Sequence, residues 1–169
     1  MAIDGETYRQ VGRASAGAVS VVTAVRCGSD AIVGLTVSSF VTLSFEPPLV
    51  MFAIQHAATS YSALVEGDHF GVSLLSVGQS DIARRFASKG TDKLAGTHLE
   101  TGRVLPVPLI AESLAQVECR THQIFVSGDH AIVVGLVEAA RTRAGDPLLY
   151  YSRRFGSFQP LAADSGGPR

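Results

Sequence analysis

The segment from Leu114 to Arg141 constrains the fold more than any other. Between Leu114 and Ile124 the chain alternates in period two. Ala115, Val117, Cys119 and Thr121 point one way, and Gln116, Glu118, Arg120 and His122 point the other. Ser127-Gly128-Asp129 then supplies turn residues, and His130 to Arg141 reads as a second, apolar strand. A long antiparallel hairpin is the expected result. Much of the remaining chain repeats the theme. The run AVSVVTAV, residues 18–25, and the stretch Ala31 to Val37 flank turn material at Cys27-Gly28-Ser29-Asp30, predicting another hairpin. Leu49 to Ile54 is a fully apolar strand, Phe70, Val72 and Leu74 alternate, and Pro147 to Phe158 is strand-like and rich in aromatics.

Three helices are expected between the strands. One spans Thr7 to Ala16. A second is capped by Thr59 or Ser60 and runs through Leu64 to stop at Gly67. The third is capped by Ser80 and ended by Gly90, with Ile82, Ala83 and Phe86 on one face. Residues 91–113 carry weak periodicity and read as loop, and 162–169 as a disordered tail. Six or seven strands, mostly in hairpins, predict a mainly β protein: a closed antiparallel barrel with helices over its ends. Residues 1–161 are expected to form one domain.

Composition narrows the function classes. Formal net charge is −1 with no basic run, which argues against a nucleic-acid protein. Charged residues make up only 17 % against 46 % hydrophobic, which is low for a freely solvated monomer and points to a homodimer. Cys27 and Cys119 form no metal-ligand spacing and no disulfide framework, as in a cytoplasmic protein. The N-terminus, with Asp4, Glu6, Arg9 and Arg13, is no signal peptide. Residues 31–65 are nearly charge-free, but Gly34, Glu46, the proline pair and the hydroxyls rule out a membrane span. No Gly-x-Gly-x-x-Gly, Walker loop or nucleophile elbow occurs, and His56, His69, His98, His122 and His130 never fall at zinc-site spacing, so no metal is expected. These absences fit chemistry that belongs to a bound cofactor.

Gly34 to Pro48, GLTVSSFVTLSFEPP, is where such a cofactor would lie. It holds one charge, Glu46, and five hydroxyls in nine residues: Thr36, Ser38, Ser39, Thr42 and Ser44. Small hydroxyls let backbone N–H groups approach a polar, planar ligand and donate without a competing charge. Pro47-Pro48 forces extended backbone and ends the run. The plainer alternative is a Ser/Thr strand with cross-strand hydrogen bonds.

This run resembles the signature of the flavin reductase-like family, small FMN-binding split barrels that supply reduced flavin to two-component monooxygenases. TYRQVGRASAGAVSVVTA before it, and FGVSLLSVGQSDIARRFAS, LAQVECRTHQIFVSGDHAIVVGLVEA and PLLYYSRRFGSF after it, agree with the family in order, so the resemblance covers roughly residues 6–160. It implies an antiparallel split β-barrel, FMN or FAD as cofactor, NADH or NADPH as hydride donor, a homodimer, and a monooxygenase component as recipient of the product. It also implies that Thr36, Val37, Ser38, Ser39 and Ser44 surround the flavin ring and ribityl chain.

Thr59 and Ser60, at a helix N-terminus, are candidates for the flavin phosphate, with plain capping as the alternative. Arg85, Phe86 and Lys89 resemble the family's phosphate-end segment, against the alternative of a solvated helix face. His130, in the SGDH block, resembles the histidine beside flavin and nicotinamide. It is the catalytic candidate as a positioning and electrostatic group, with a surface turn histidine as the alternative. Tyr151, Arg154 and Phe155 shape either the nicotinamide side or a dimer contact. The expected activity is NAD(P)H-dependent flavin reduction. A non-enzymatic flavin carrier or sensor, and a dimeric barrel without cofactor, are the rivals.

Overall fold

Asp4 sets the start of the first helix, α1 (Gly5–Ala14), by accepting from the N–H groups of Glu6 and Thr7. The computed structural model describes residues 2–90 and 92–161, and the expected tail at 162–169 lies outside them. After α1 come the short β1 (Gly17–Ala18) and the predicted hairpin of β2 (Ser20–Val25) and β3 (Ile32–Val37). β4 (Val41–Phe45) and β5 (Pro48–Gln55) form a second hairpin. Its turn holds Glu46 and Pro47, joined by a cis peptide, and β5 runs back antiparallel along the hydroxyl-rich β4. Next are α2 (Tyr61–Val65), β6 (His69–Leu74), a 3-10 turn (Val77–Gln79) and α3 (Ser80–Ala87). β7 (Leu99–Thr101) pairs with β8 (Pro108–Ile110). The long hairpin is β9 (Ala115–Ser127) with β10 (His130–Thr142), and β11 (Leu149–Tyr151) folds onto β12 (Arg154–Gly156).

Seven strands form one antiparallel sheet in the order β3-β2-β6-β9-β10-β5-β4. β3 and β4 are neighbours in sequence yet lie at opposite ends of that order. Only residues 38–40 join them. Four Cα steps span at most about 14 Å, so the sheet must curl until its two edges nearly meet. Ser39 spans the gap. Its hydroxyl accepts from Ala53 N–H at 3.0 Å and donates to the Ala53 carbonyl at 3.4 Å. The barrel is therefore closed by a side chain where a strand ladder is missing, and the hydroxyl-rich run sits at the split.

The barrel interior is filled from every side by Val22 and Ala24 of β2, Val37 of β3, Phe52 and Ile54 of β5, Phe70 and Val72 of β6, Cys119 of β9 and Val133 of β10, with Leu64 of α2 over one end. A second cluster outside the barrel holds Val19, Val21, Leu75, Ile110 and Leu148 against Ala83 and Phe86 of α3. β2 lies between the two clusters, which is why its sequence is apolar on both faces.

Residues 91–113, expected as loop, contain the β7–β8 hairpin. Polar groups from distant strands hold this segment: Ser73 Oγ accepts from Ile110 N–H, Gln116 Nε2 donates to Ile110 O, and Thr23 Oγ1 donates to Pro108 O. Glu118, 5 % exposed, accepts from the N–H groups of Arg103, Val104 and Leu105 at 2.7–2.8 Å. The second face of β9 is thus partly buried at Gln116 and Glu118. Ser80 is the first residue of α3 and not its cap, because the preceding 3-10 turn is closed by a Ser76–Gln79 capping box.

Candidate functional site

β3 is an edge strand, so half of its backbone groups point off the sheet. Lys93 Nζ donates to the Gly34 carbonyl at 2.9 Å, which shows that Gly34 faces that free edge. Alternation along an antiparallel strand turns Thr36 the same way. Gly34 also admits no side chain. A Cβ there would lie 2.7 Å from Val22 O and 2.9 Å from the Phe86 ring.

Three concavities follow one another along β3. The first, about 240 Å³, is lined by Arg26, Gly34, Thr59, Ser60, Asp92 and Lys93. Lys93 is half-buried, and burial lowers its pKa below the ordinary lysine value. Arg26 reaches the Thr59 carbonyl, and the Asp92 carboxylate accepts from Leu94 and Ala95 N–H. Ser60 is 2 % exposed, and its hydroxyl has no hydrogen-bond partner among the described residues.

The second concavity, about 230 Å³, lies at the split between β3 and β5, with Thr36, Val37, Ser39, Gln55, Ala58 and His130 on its walls. His130 opens β10 directly after the turn, opposite Gln55 of β5. Its Nδ1 lies 2.6 Å from Asp129 Oδ1. That hydrogen bond, with the imidazole's charge, lowers the Asp129 pKa. A carboxylate partner fixes the Nδ1–H tautomer and leaves Nε2 to meet a ligand.

The third is an open cleft of about 700 Å³ at the end of β3, where Thr36, Val37 and Ser38 meet Arg84 of α3 and Tyr150, Arg153, Arg154 and Phe155 of the β11–β12 hairpin. Arg84 stands 5.2 Å over the Phe155 ring, whose centroid is 5.4 Å from that of Tyr150.

The structure thus brings together Thr36, Val37, Ser38, Ser39, His130, Thr59, Ser60, Arg154 and Phe155 along one strand. Two of the hydroxyls are engaged in the fold: Thr36 donates to Ala83 O at 2.7 Å, and Ser39 clasps Ala53. Ser44 is half-buried on β4 and lines none of the three concavities. Arg85 turns away to Ala95 O and Thr97 Oγ1, Phe86 is buried beneath Gly34, and Lys89 is exposed beyond the end of α3. Tyr151 is exposed, while its neighbour Tyr150 lines the cleft. Sequence reasoning missed Arg26, Arg84, Lys93, Tyr150 and Arg153. Helical spacing does not say which of the adjacent Arg84 and Arg85 meets the cleft, and Lys93 sits in a stretch without periodicity.

A recess with Lys93, Arg26 and Asp92 on its walls, a small hollow at the strand edge and a larger aromatic-walled cleft in series suit an elongated ligand with a planar ring and a phosphate, with room for a second reactant. Among the described residues no cluster of His, Cys, Asp or Glu could hold a metal ion. Cys119 is a core thiol, its pKa pushed up to about 12 by burial and by Glu118. The family model for the flavin reductase like domain matches residues 12–159. The chain belongs to the flavin reductase like domain family. It is 35 % identical over 164 residues to the flavin-dependent monooxygenase reductase subunit HsaB of Mycobacterium tuberculosis, covering 94 % of this chain and 84 % of that one. Against the FMN reductase (NADH) SmoA of Agrobacterium fabrum it is 37 % identical over 142 residues, 83 % and 78 % of the two chains. Its fold matches the Streptomyces globisporus C-1027 NADH:FAD oxidoreductase SgcE6, solved in complex with NAD and FAD fragments, with a TM-score of 0.85 and 32 % identity over 96 % of this chain and 99 % of that one.

The flavin reductase like domain in this chain has residues that fit a flavin. The buried, unpartnered Ser60 hydroxyl and the Lys93 ammonium, both at the first recess, are groups that suit a phosphate.

Proposed function

We propose that this chain is an NAD(P)H:flavin oxidoreductase that reduces FMN or FAD and passes the product to a separate monooxygenase. The observation that carries the reading is the free edge of β3 at the barrel split, with a Lys93–Ser60 recess at one end and His130 and the open cleft at the other. Flavin, when bound, supplies the ring that accepts hydride. The chain's own work is to bind and orient. Lys93, Arg26, Thr59 and Ser60 hold the phosphate. The β3 edge from Thr36 onward presents backbone groups, with the exposed Ser38 hydroxyl, to the ring and ribityl chain. His130, fixed by Asp129, gives a directed polar contact where ring and nicotinamide meet. Reductase subunits of monooxygenases among the relatives support an oxygenase as the recipient.

A homodimer completes the proposal. α1 buries none of its residues and exposes Tyr8 and Val11, while β4 exposes Val41, Leu43 and Phe45, the last 98 % accessible. Apolar surface of this kind on an edge strand and a helix asks for a partner. No described helix is long and apolar enough to cross a membrane. The need for reduced nucleotide, with two free thiols, favours a cytoplasmic setting.

Steady-state oxidation of NADH or NADPH, with free flavin in large excess over protein, tests the activity. Many turnovers per chain are expected. A single equivalent bound without turnover would make the protein a flavin carrier.

A further inference from the structure

The turn between β11 and β12 consists of Ser152 and Arg153, at φ 45° and 65°. Two-residue turns of this handedness favour Asn-Gly, and a bulky arginine in the left-handed region is disfavoured. Strain retained at one residue points to a use for its side chain, and Arg153 lines the large cleft. Arg84 faces it from α3, held over the Phe155 ring. Arg154 is the third cation on the same walls, and no carboxylate lines them. Arg84 pairs with Asp81 at 2.6 Å and touches Ser80 Oγ, but both members of that ion pair are well exposed and exchange readily for a stronger anion. Arg153 and Arg154 have no ion-pair or hydrogen-bond partner for their side chains among the described residues.

Position decides which anion. The Lys93 recess is lined by Gly34 and the arginine cleft by Ser38. Four residues of strand separate them by about 13 Å. A flavin whose phosphate is anchored at Lys93 leaves the arginines to the other reactant.

We propose that Arg153 and Arg84 bind a phosphate of the reduced nicotinamide dinucleotide and so determine affinity for the hydride donor. This rests on the flavin reductase reading above. Arg153→Gly and Arg84→Gln are the variants, the first chosen because glycine suits φ 65° and leaves the turn intact. The donors are NADH and reduced nicotinamide riboside, which has no phosphate. The ratio of KM for NADH to KM for the riboside should rise about tenfold in each variant, with kcat for NADH and flavin Kd holding and the melting temperature no lower in Arg153→Gly. An unchanged ratio overturns the assignment. So does a loss confined to flavin affinity, which would give the arginines to the flavin. A parent protein that oxidises neither donor overturns the reading beneath it and the assignment with it, before any variant is compared.

Discussion

Replacing Lys93 by methionine separates recognition of the flavin phosphate from everything else the site does. The ammonium lies 2.9 Å from the Gly34 carbonyl and shares its recess with the unpartnered Ser60 hydroxyl. A hydrogen bond to a charged group contributes about 1.5–3 kcal/mol. Partial exposure of Lys93 favours the lower end, so FMN should bind about tenfold more weakly to the variant. Riboflavin, which lacks the phosphate, should bind parent and variant alike. The pair of proteins and the pair of ligands form a cycle that isolates the one contact. Flavin fluorescence titration reads all four affinities. Methionine keeps the apolar stem, and the melting temperature should change little, since the bond given up is a single half-solvated one. The pH dependence has a definite sign. Burial lowers the Lys93 pKa, so the preference for FMN over riboflavin should fade as pH rises, beginning below the ordinary lysine range. In Lys93→Met that alkaline fade should be absent. Equal losses for FMN and riboflavin, or none for either, would refute the placement of the phosphate.

Ser60→Ala should leave the apo protein as stable or more so, because it deletes a buried hydroxyl without a partner, yet weaken FMN several-fold; a loss of melting temperature with intact FMN affinity would make Ser60 purely structural. Glu118→Gln should cost about 2 kcal/mol in urea denaturation, since the carboxylate accepts three backbone N–H bonds. Burial pushes the Glu118 pKa up, but those bonds and Arg103 outweigh it and leave it below the usual glutamate value. Its contribution is therefore complete at neutral pH and lost as pH falls through the folded pKa, and an acid limb identical in the Gln variant would count against this. Gly34→Ala should destabilise by about 1–3 kcal/mol, because its Cβ meets the Val22 carbonyl and the Phe86 ring, and thermal melts will show it. His130→Ala should slow reduction of bound flavin by about ten- to a hundredfold while flavin still binds; stopped-flow rates equal to the parent's would reduce His130 to a turn residue.

What could be seen in the sequence was what is local. The β9–β10 and β2–β3 hairpins announce themselves through alternation and turn residues within one stretch of chain. The hydroxyl-rich run stood out for the same reason, and it does lie at the barrel split. Its division of labour was hidden. Thr36 and Ser39 hold α3 and β5 by hydrogen bonds to Ala83 and Ala53, residues 47 and 14 positions away. The β7–β8 hairpin was missed because its strands are only three residues long, too short to show a period, and Pro106 and Pro108 interrupt the buried apolar run between Leu105 and Ile110. The choice of Arg85 over Arg84 failed to foresee a contact across chain: Arg85 is taken up by the 95–97 loop, which leaves Arg84 to the cleft.

Anaerobic mixing of the protein, one equivalent of oxidised FMN or FAD, and NADH or NADPH, followed by flavin absorbance, tests the proposed activity without oxygen or an oxygenase to confuse it. The flavin band should bleach completely with at least one nucleotide, at a rate proportional to protein when flavin is in excess, and far faster than in buffer alone. Flavin that stays oxidised with both nucleotides, in a protein shown to be folded, would contradict the assignment of this chain as a flavin reductase.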